Sequence, residues 1–352
     1  GGGGAAGGGG DGCDVVRPDA CSPETLDDAE NCCASGRSCQ GGACEAGECR
    51  AVMAAVSPSA LTEEVLDVVV VGGNLYWTSG YGSKLYMTPA GGGPVYTHAT
   101  SDEEGGVRFI TRLAADATHL YYTNFGSGRI VRVPLEGGAP ELVAVVPDTI
   151  PKPEAGFGQI AAGGGFVAWA MATTGGVYVA PLASLPAEPL ELAPGLGYGV
   201  AIDATHVYWG TEGGTIMRRP LANLSAASET VVEAQNPVRD LAVAGDRVYW
   251  ADIRAVYSAA KVGVNKLLLT LYDNGPTPPL GVATDGRHVY VTTAGRSEPP
   301  SPGALYRVPL LGGSKVKLAE TQQVGDMRAV AIGCNTLYLA NNGDQNVLKL
   351  AR

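Results

Sequence analysis

The stretch that decides the fold is Val200-Ala-Ile-Asp-Ala-Thr-His-Val-Tyr-Trp209, where an apolar segment, a polar turn and an aromatic segment follow one another. Its last three residues return in related form every 40 to 48 residues. The related triplets are Leu75-Tyr76-Trp77, Leu120-Tyr121-Tyr122, Val167-Ala168-Trp169, Val207-Tyr208-Trp209, Val248-Tyr249-Trp250, Val289-Tyr290-Val291 and Leu337-Tyr338-Leu339. A period of this length predicts one four-stranded unit per repeat.

Each repeat shows the same order of predicted strands. An apolar strand such as Leu241-Ala-Val-Ala244 precedes the aromatic strand. The third strand ends in Pro-Leu before a Gly-rich turn, as in Arg129-Ile-Val-Arg-Val-Pro-Leu-Glu-Gly-Gly138, and a short fourth follows, as in Pro140-Glu-Leu-Val-Ala144. Seven such units, from about residue 64 onward, predict an all-β, seven-bladed β-propeller with four-stranded blades.

The seventh unit reaches Arg352 with only three strands, the third being Asn346-Val-Leu-Lys-Leu-Ala-Arg352. An open blade would leave unpaired strand edges. Residues 50–60 begin with Arg50-Ala-Val-Met-Ala-Ala-Val56, which suits a β-strand. We therefore expect the N-terminal strand to complete the last blade, so that the propeller domain spans residues 50–352.

Composition limits the classes of partner. The net charge is −11, from 24 basic and 35 acidic residues. Nucleic acids and anionic membrane surfaces would be repelled on average, so neither is an expected partner. Residues 1–12 are nearly all Gly and Ala, which predicts a flexible tether. Such tethers often follow a lipidated residue, so a membrane tether through an N-terminal lipid anchor is one possibility, with any export signal already removed.

Cysteine usage predicts an oxidising compartment. Seven of the eight cysteines lie between Cys13 and Cys49, a density that reducing cytosol rarely supports. We therefore expect a secreted or cell-surface protein. Residues 13–49 contain almost nothing apolar, so crosslinks must stabilise them as a small disulfide-rich module. The spacing departs from Cys-x-x-Cys zinc ligands and no His is near, so no metal site is expected.

The order of the first six cysteines, with an adjacent pair in the middle, resembles that of inhibitor-cystine-knot mini-domains. The resemblance implies three disulfides, which are Cys13–Cys33, Cys21–Cys39 and Cys32–Cys44. Six cysteines allow fifteen pairings, so the others stay open. The two cysteines that remain, Cys49 and Cys334, would then bond, provided that their Cα atoms lie within about 7 Å of each other.

Over roughly residues 64–352 the repeats resemble the YWTD propellers of lipoprotein-receptor ectodomains. The nearest matches are Tyr249-Trp250-Ala251-Asp252, Tyr76-Trp77-Thr78-Ser79 and Tyr121-Tyr122-Thr123-Asn124. No unit has all four letters, and that family normally has six blades against the seven units counted here. The resemblance implies a propeller that binds proteins and is not an enzyme.

Residues that recur in phase are expected to serve the scaffold. His119, His206 and His288 all precede the second strand of their units, which predicts exposed turn residues rather than catalysts. His98 is out of phase and has no evident acidic partner. The tryptophans Trp77, Trp169, Trp209 and Trp250 share one strand position, which predicts packing between blades rather than a sugar-binding platform.

Departures from the repeat are better candidates for function. The segments that lead into the innermost strands gather around the axis at one end of a propeller, and here they carry charged and amide side chains. The candidate ligand-binding residues are Arg112, Gln159, Asn236, Arg239, Asp240, Asp326 and Arg328, with Arg108 and Tyr198 beside them. Such a cluster suits a polar or anionic ligand. The alternative is a structural network in which these residues pair with each other.

No nucleophile elbow, phosphate loop or haem motif occurs, so no catalytic residue and no cofactor is predicted. The sequence favours a non-enzymatic binding or scaffold module that recognises a protein, peptide or glycan through its loops. One alternative is a propeller hydrolase or lyase with an axial site. Another is a structural subunit of a surface assembly. The oligomeric state does not follow from the sequence.

Overall fold

The computed structural model describes residues 39, 42–45, 48–56, 64–80, 83–100, 109–147, 156–172, 175–197, 199–234, 236–262, 266–271, 278–298 and 300–352. Within these ranges the chain forms strands and turns but no helix, and hence no helix that could span a membrane. Three short strands come first, which are β1 (Cys44–Glu45), β2 (Glu48–Cys49) and β3 (Val52–Val56).

The remaining strands build seven blades. Blade 1 contains β4 (Val65–Val71), β5 (Asn74–Ser79), β6 (Lys84–Pro89) and β7 (Tyr96–Thr100). The strands of blade 2 are β8 (Phe109–Ala115), β9 (His119–Phe125), β10 (Arg129–Pro134) and β11 (Glu141–Val145). The strands of blade 3 are β12 (Phe157–Gly163), β13 (Phe166–Met171), β14 (Val177–Pro181) and β15 (Leu190–Ala193).

Blade 4 contains β16 (Val200–Ile202), β17 (His206–Gly210), β18 (Thr215–Pro220) and β19 (Glu229–Glu233). Those of blade 5 are β20 (Asp240–Ala244), β21 (Arg247–Ala251), β22 (Ala255–Ala260) and β23 (Leu267–Leu271). In blade 6 they are β24 (Pro279–Thr284), β25 (His288–Thr293), β26 (Ala304–Pro309) and β27 (Val316–Glu320). Blade 7 contains β28 (Met327–Ile332), β29 (Thr336–Asn341), β30 (Asn346–Ala351) and β3.

The fold is thus the predicted all-β propeller of seven antiparallel four-stranded blades. The innermost strands contact each other in sequence around the axis, and β28 contacts β4 to close the ring. The fourth strand of blade 7 is β3, in which Val52 lies opposite Lys349 and Val56 opposite Asn346. The prediction that the N-terminal strand completes the last blade is confirmed, although β3 begins at Val52 rather than at residue 50 and residues 57–60 lie outside the described ranges.

The blades hold together through apolar layers between neighbouring sheets. All four tryptophans are no more than 1% exposed. Trp169 packs with Tyr121 and Ile130 of the preceding blade, and Trp250 packs in the same way with Tyr208 of blade 4. Each indole buries a large apolar area where two twisted sheets meet. The packing role predicted for the tryptophans is confirmed.

Two of the predicted disulfides are wrong. Cys39 bonds to Cys49, with their Cα atoms 5.1 Å apart. A cysteine forms one disulfide, so neither Cys21–Cys39 nor Cys49–Cys334 exists. The physical reason is local, because the hairpin of β1 and β2 places Cys49 opposite Cys44, and the turn in which Gly42 donates to the Cys39 carbonyl keeps Cys39 next to that hairpin. The pairings Cys13–Cys33 and Cys32–Cys44 include cysteines outside the described ranges and stay predictions.

The cysteine segment is nevertheless attached to blade 7. Cys39, Cys44 and Cys49 are buried against Ala351 at the end of β30. Cys334, in the turn between β28 and β29, is also disulfide-bonded. Every other cysteine of the chain lies between Cys13 and Cys49. The Cys334 disulfide therefore joins blade 7 to the cysteine segment, as was expected, but through a cysteine other than Cys49.

Candidate functional site

The candidate site is the axial mouth, defined here as the end of the ring where the innermost strands begin. In five blades the first two strands slip out of register there, near Val65, Ile110, Phe157, Pro279 and Met327. Such bulges turn a side chain away from its regular direction. They explain why charged and amide side chains can lie on strands that are otherwise buried.

Gln159 holds neighbouring blades together. Its Oε1 accepts hydrogen bonds from the backbone N–H groups of Val200, at 2.9 Å, and Leu241, at 3.1 Å. Its Nε2 donates to the carbonyl of Leu241 at 3.0 Å. These bonds run from blade 3 to blades 4 and 5, so Gln159 is used by the scaffold and is only 3% exposed.

Asp67, which was not among the predicted residues, links blades 1 and 2 by hydrogen bonds of its side chain. One carboxylate oxygen accepts from the N–H of Val68 and the other from that of Leu113, both at 2.9 Å. Asp67 precedes Val68 in the position that Gln159 holds before Ile160, since Val68 lies opposite Trp77 as Ile160 lies opposite Trp169. Alignment of the repeats on the tryptophan could have identified it.

Asp240 occupies this position in blade 5. Its Oδ2 accepts from the N–H of Val282 in blade 6 at 2.6 Å. Its Oδ1 is buried without a hydrogen-bond partner among the described residues. Burial raises the pKa of Asp240 above its ordinary value, which the Val282 hydrogen bond and the charge of Arg112 offset only in part. Asp240 therefore lies at the axis within electrostatic range of Arg112.

Three other candidates have local partners. Asn236 donates its side-chain amide to Asp252 at 2.9 Å. Asp326 accepts the N–H of Gly295 at 3.0 Å and forms an ion pair with Arg328, also at 3.0 Å. Both partners of the ion pair are partly exposed, so its contribution to stability is modest. These residues organise the mouth, and their role in binding stays a prediction.

Arg112 and Arg239 are different. Both are partly buried, and neither guanidinium makes a hydrogen bond or an ion pair with any residue that the structure describes. Arg112 lies in the bulge of β8, and Arg239 directly precedes β20. The mouth thus offers two unpaired cations in a chain of net charge −11. Arg108 and Tyr198 lie outside the described ranges.

An aromatic pair lies beside Arg112. Phe109 begins β8 and Phe125 ends β9, opposite each other at the same end of blade 2. Their rings stack with centroids 6.2 Å apart, and both side chains remain partly exposed. Among the described residues no other blade has two aromatic residues in register at this end, a departure that a comparison of the repeats could have shown.

The histidines lie away from the axial mouth. His119, His206 and His288 each begin a second strand, and their rings pack near the tyrosine two residues on. They are partly buried, not exposed as predicted, because that packing covers one ring face. His98 contacts Tyr76 and the Pro134 carbonyl, and burial lowers its pKa. Within the described ranges no group of His, Cys, Asp and Glu could hold a metal ion.

No protein-family model and no curated protein matches the sequence. Solved structures share the fold. The WD40 propeller domain of Doa1 has a TM-score of 0.64 at 11% identity, over 86% of this chain and 97% of that one. Streptogramin B lyase has a TM-score of 0.64 at 9% identity, over 85% of this chain and 96% of the lyase.

A chain of the nidogen/laminin complex is also similar, with a TM-score of 0.51 at 14% identity, over 74% of this chain and 98% of that one. The similar structures thus include propellers of interaction proteins and one enzyme. At identities this low the similarity shows the propeller fold alone, so the function has to be argued from the site itself.

Proposed function

We propose that this chain is a non-enzymatic binding module of the cell surface or exterior, which recognises a protein, peptide or glycan at the axial mouth. The observation that carries the proposal is the use of the axial polar groups. Gln159 and Asp67, two of the polar side chains that a propeller enzyme could direct at a substrate, are instead hydrogen-bonded to backbone N–H groups of neighbouring blades. Groups held in this way are poorly placed for proton transfer to a ligand.

The cysteines support the location. Disulfides such as Cys39–Cys49 and that of Cys334 form and persist mainly in oxidising compartments, which supports this location. The YWTD-like strands point the same way, because the propellers that they resemble belong to receptor ectodomains and bind proteins. A Gly-rich tether at residues 1–12 would let a lipid-anchored propeller extend from a membrane.

The test is recovery of a partner from the cell-surface fraction of the source organism. Immobilised wild-type protein, an Arg239→Ala/Arg328→Ala double variant and an Arg287→Ala control are compared. Arg287 is exposed in the turn after β24, at the opposite end of the ring. We expect the wild type and the control to recover the same component, and the double variant to recover about tenfold less.

Equal recovery by all three proteins would contradict the proposed location of the site. The recovered component is then incubated with wild-type protein and analysed by mass spectrometry. An unchanged mass is the expected result for a binding module, whereas a product that only the wild type generates would show that the chain is an enzyme.

A further inference from the structure

The unpaired arginines specify the charge of the ligand. A partly buried guanidinium without a partner has given up part of its hydration and gains most from an anion. Arg112 and Arg239 are both in this state among the described residues, on blades 2 and 5. The Asp326–Arg328 pair on blade 7 adds no net charge nearby. Asp67 and Asp240 at the same mouth accept backbone N–H groups of neighbouring blades, so among the described residues these two guanidinium groups remain to donate hydrogen bonds to an anionic group.

Asp240 is a second, independent sign of a ligand site. Its Oδ1 is fully buried and has no partner among the described residues, an arrangement that costs stability unless a ligand or water completes it. Asp240 follows Arg239 directly, and the charge of Arg112 acts on it. Since this oxygen is an acceptor, a hydrogen-bond donor of the ligand, such as a peptide N–H, would complete it, and not the ligand's anionic group.

Phe109 and Phe125 indicate which kind of group lies next to the anionic group of the ligand. They supply partly exposed apolar surface in the blade that carries Arg112. Sugars are bound on open aromatic faces, but here the two rings cover each other and all four tryptophans are buried. The remaining apolar surface suits an aliphatic or aromatic side chain of a peptide.

We propose that the axial mouth binds the carboxylate of a peptide, held by Arg112 and Arg239, with a neighbouring apolar side chain against Phe109 and Phe125. Bidentate guanidinium–carboxylate pairing gives such a site its orientation. The carboxylate belongs either to the C-terminus or to an Asp or Glu side chain. This inference rests on the proposed binding function and adds the chemical class of the ligand.

The experiment uses an array of octapeptides linked through their N-termini, as free acids and as C-terminal amides. Acidic, neutral and basic sequences are included, with and without a Phe or Leu beside the acidic residue. The full-length wild type is compared with Arg112→Ala, Arg239→Ala, Phe125→Ala and the control Arg287→Ala. Each variant is first checked for native circular dichroism and melting temperature.

We expect the wild type to retain acidic peptides that contain an adjacent apolar residue. Each arginine variant should weaken binding about tenfold or more, and Arg287→Ala should not. Raising the salt concentration should weaken binding too. If C-terminal amidation abolishes binding, the site binds the C-terminal carboxylate. If binding persists, the site binds an Asp or Glu side chain. If Arg112→Ala fails to fold, Arg112→Lys and Arg112→Gln replace it, and only the lysine variant should retain binding.

Several results would overturn this inference. Retention of only neutral or basic peptides, or of none, would do so and would leave the binding function to the recovery experiment. Equal binding by Arg112→Ala and Arg239→Ala, or equal weakening by Arg287→Ala, would show that the signal does not come from this site. Cleavage of a retained peptide would contradict the non-enzymatic function itself.

Discussion

At the scale of single residues, one carboxylate organises the turn after the first strand in blades 2, 4 and 6. In blade 4, Asp203 accepts the N–H groups of Thr205 and His206 at 2.8 Å and the Tyr208 hydroxyl at 2.8 Å. Asp116 and Asp285 hold the same kind of turn in the other two blades. Asp203 also forms an ion pair with Lys261 of blade 5 at 2.7 Å, and Asp285 forms a longer one with Arg352 at 3.5 Å.

We predict that Asp203→Asn lowers the free energy of unfolding at pH 7 by about 2 kcal/mol. Although burial of Asp203 acts to raise its pKa, the Lys261 and backbone hydrogen bonds hold it well below its usual value near 3.8. A carboxyl whose folded-state pKa is lowered contributes stability above that usual value and loses it as the pH falls toward the folded one. The difference between wild type and variant should therefore shrink below about pH 4.

Urea unfolding at pH 7, 4 and 3 measures this difference. The exposed side chain of Asp246 makes no hydrogen bond or ion pair with any described residue, so Asp246→Asn serves as the control, for which we expect little change. A difference between Asp203→Asn and wild type that stayed constant with pH would show that the charge of Asp203 does not matter.

Some residue roles follow from the sequence and others do not. Recurrence at one position predicts that His119 and Trp169 serve the scaffold, and in the structure His119 packs near Tyr121 and Trp169 lies in the layer between blades. The roles of Gln159 and Asp240 do not follow from the sequence. A polar residue at the start of an inner strand can face a ligand or satisfy a backbone N–H of another blade, and only the spatial position of Val200 or Val282 decides between these.

At the scale of strands, β3 shows which faces of the closing strand matter. Ala55 is 7% exposed and packs into the apolar layer between blades 7 and 1, whereas Met53 is 60% exposed. The repeat predicted that β3 belongs to blade 7, because the C-terminal part of the chain supplies only three of that blade's four strands. It did not predict the bulge between Met53 and Ala55, which sets the side chains that face inward.

We predict that Ala55→Glu lowers the free energy of unfolding by about 3 kcal/mol or more, because the carboxylate has no partner in an apolar layer. Met53→Glu, two residues away on the same strand, should change it by less than about 0.5 kcal/mol. Chemical denaturation of both variants checks this. Equal effects would mean that Ala55 does not pack into the apolar layer between blades 7 and 1.

At the scale of the whole molecule, disulfides add to the closure of the ring. The bond of Cys334 joins blade 7 to residues 13–49, so it closes a loop that contains nearly the whole propeller. The Cys39–Cys49 bond spans a sequence separation of only 10. The sequence predicted a disulfide between Cys334 and the cysteine segment, but not which cysteine is its partner. Cysteine spacing alone does not reveal the hairpin of β1 and β2 that carries Cys49.

We predict that Cys334→Ser destabilises the protein by about 3–5 kcal/mol, more than the approximately 2–3 kcal/mol for a Cys39→Ser/Cys49→Ser double variant, because the longer loop restricts the unfolded chain more. Thermal unfolding without reductant compares them. A larger loss in the double variant would mean that the hairpin, not the long loop, limits stability.

The pairing of Val52 with Lys349 also has a consequence for biosynthesis. Since β3 precedes all seven blades in the chain and β30 follows six of them, β3 is synthesised well before its partner strand and stays unpaired until β30 has been made. Until then, blades 1 to 6 can form only an unfinished arc whose two end faces are apolar and open to other molecules. We therefore expect the incomplete ring to be prone to aggregation during translation and transport until β30 pairs with β3.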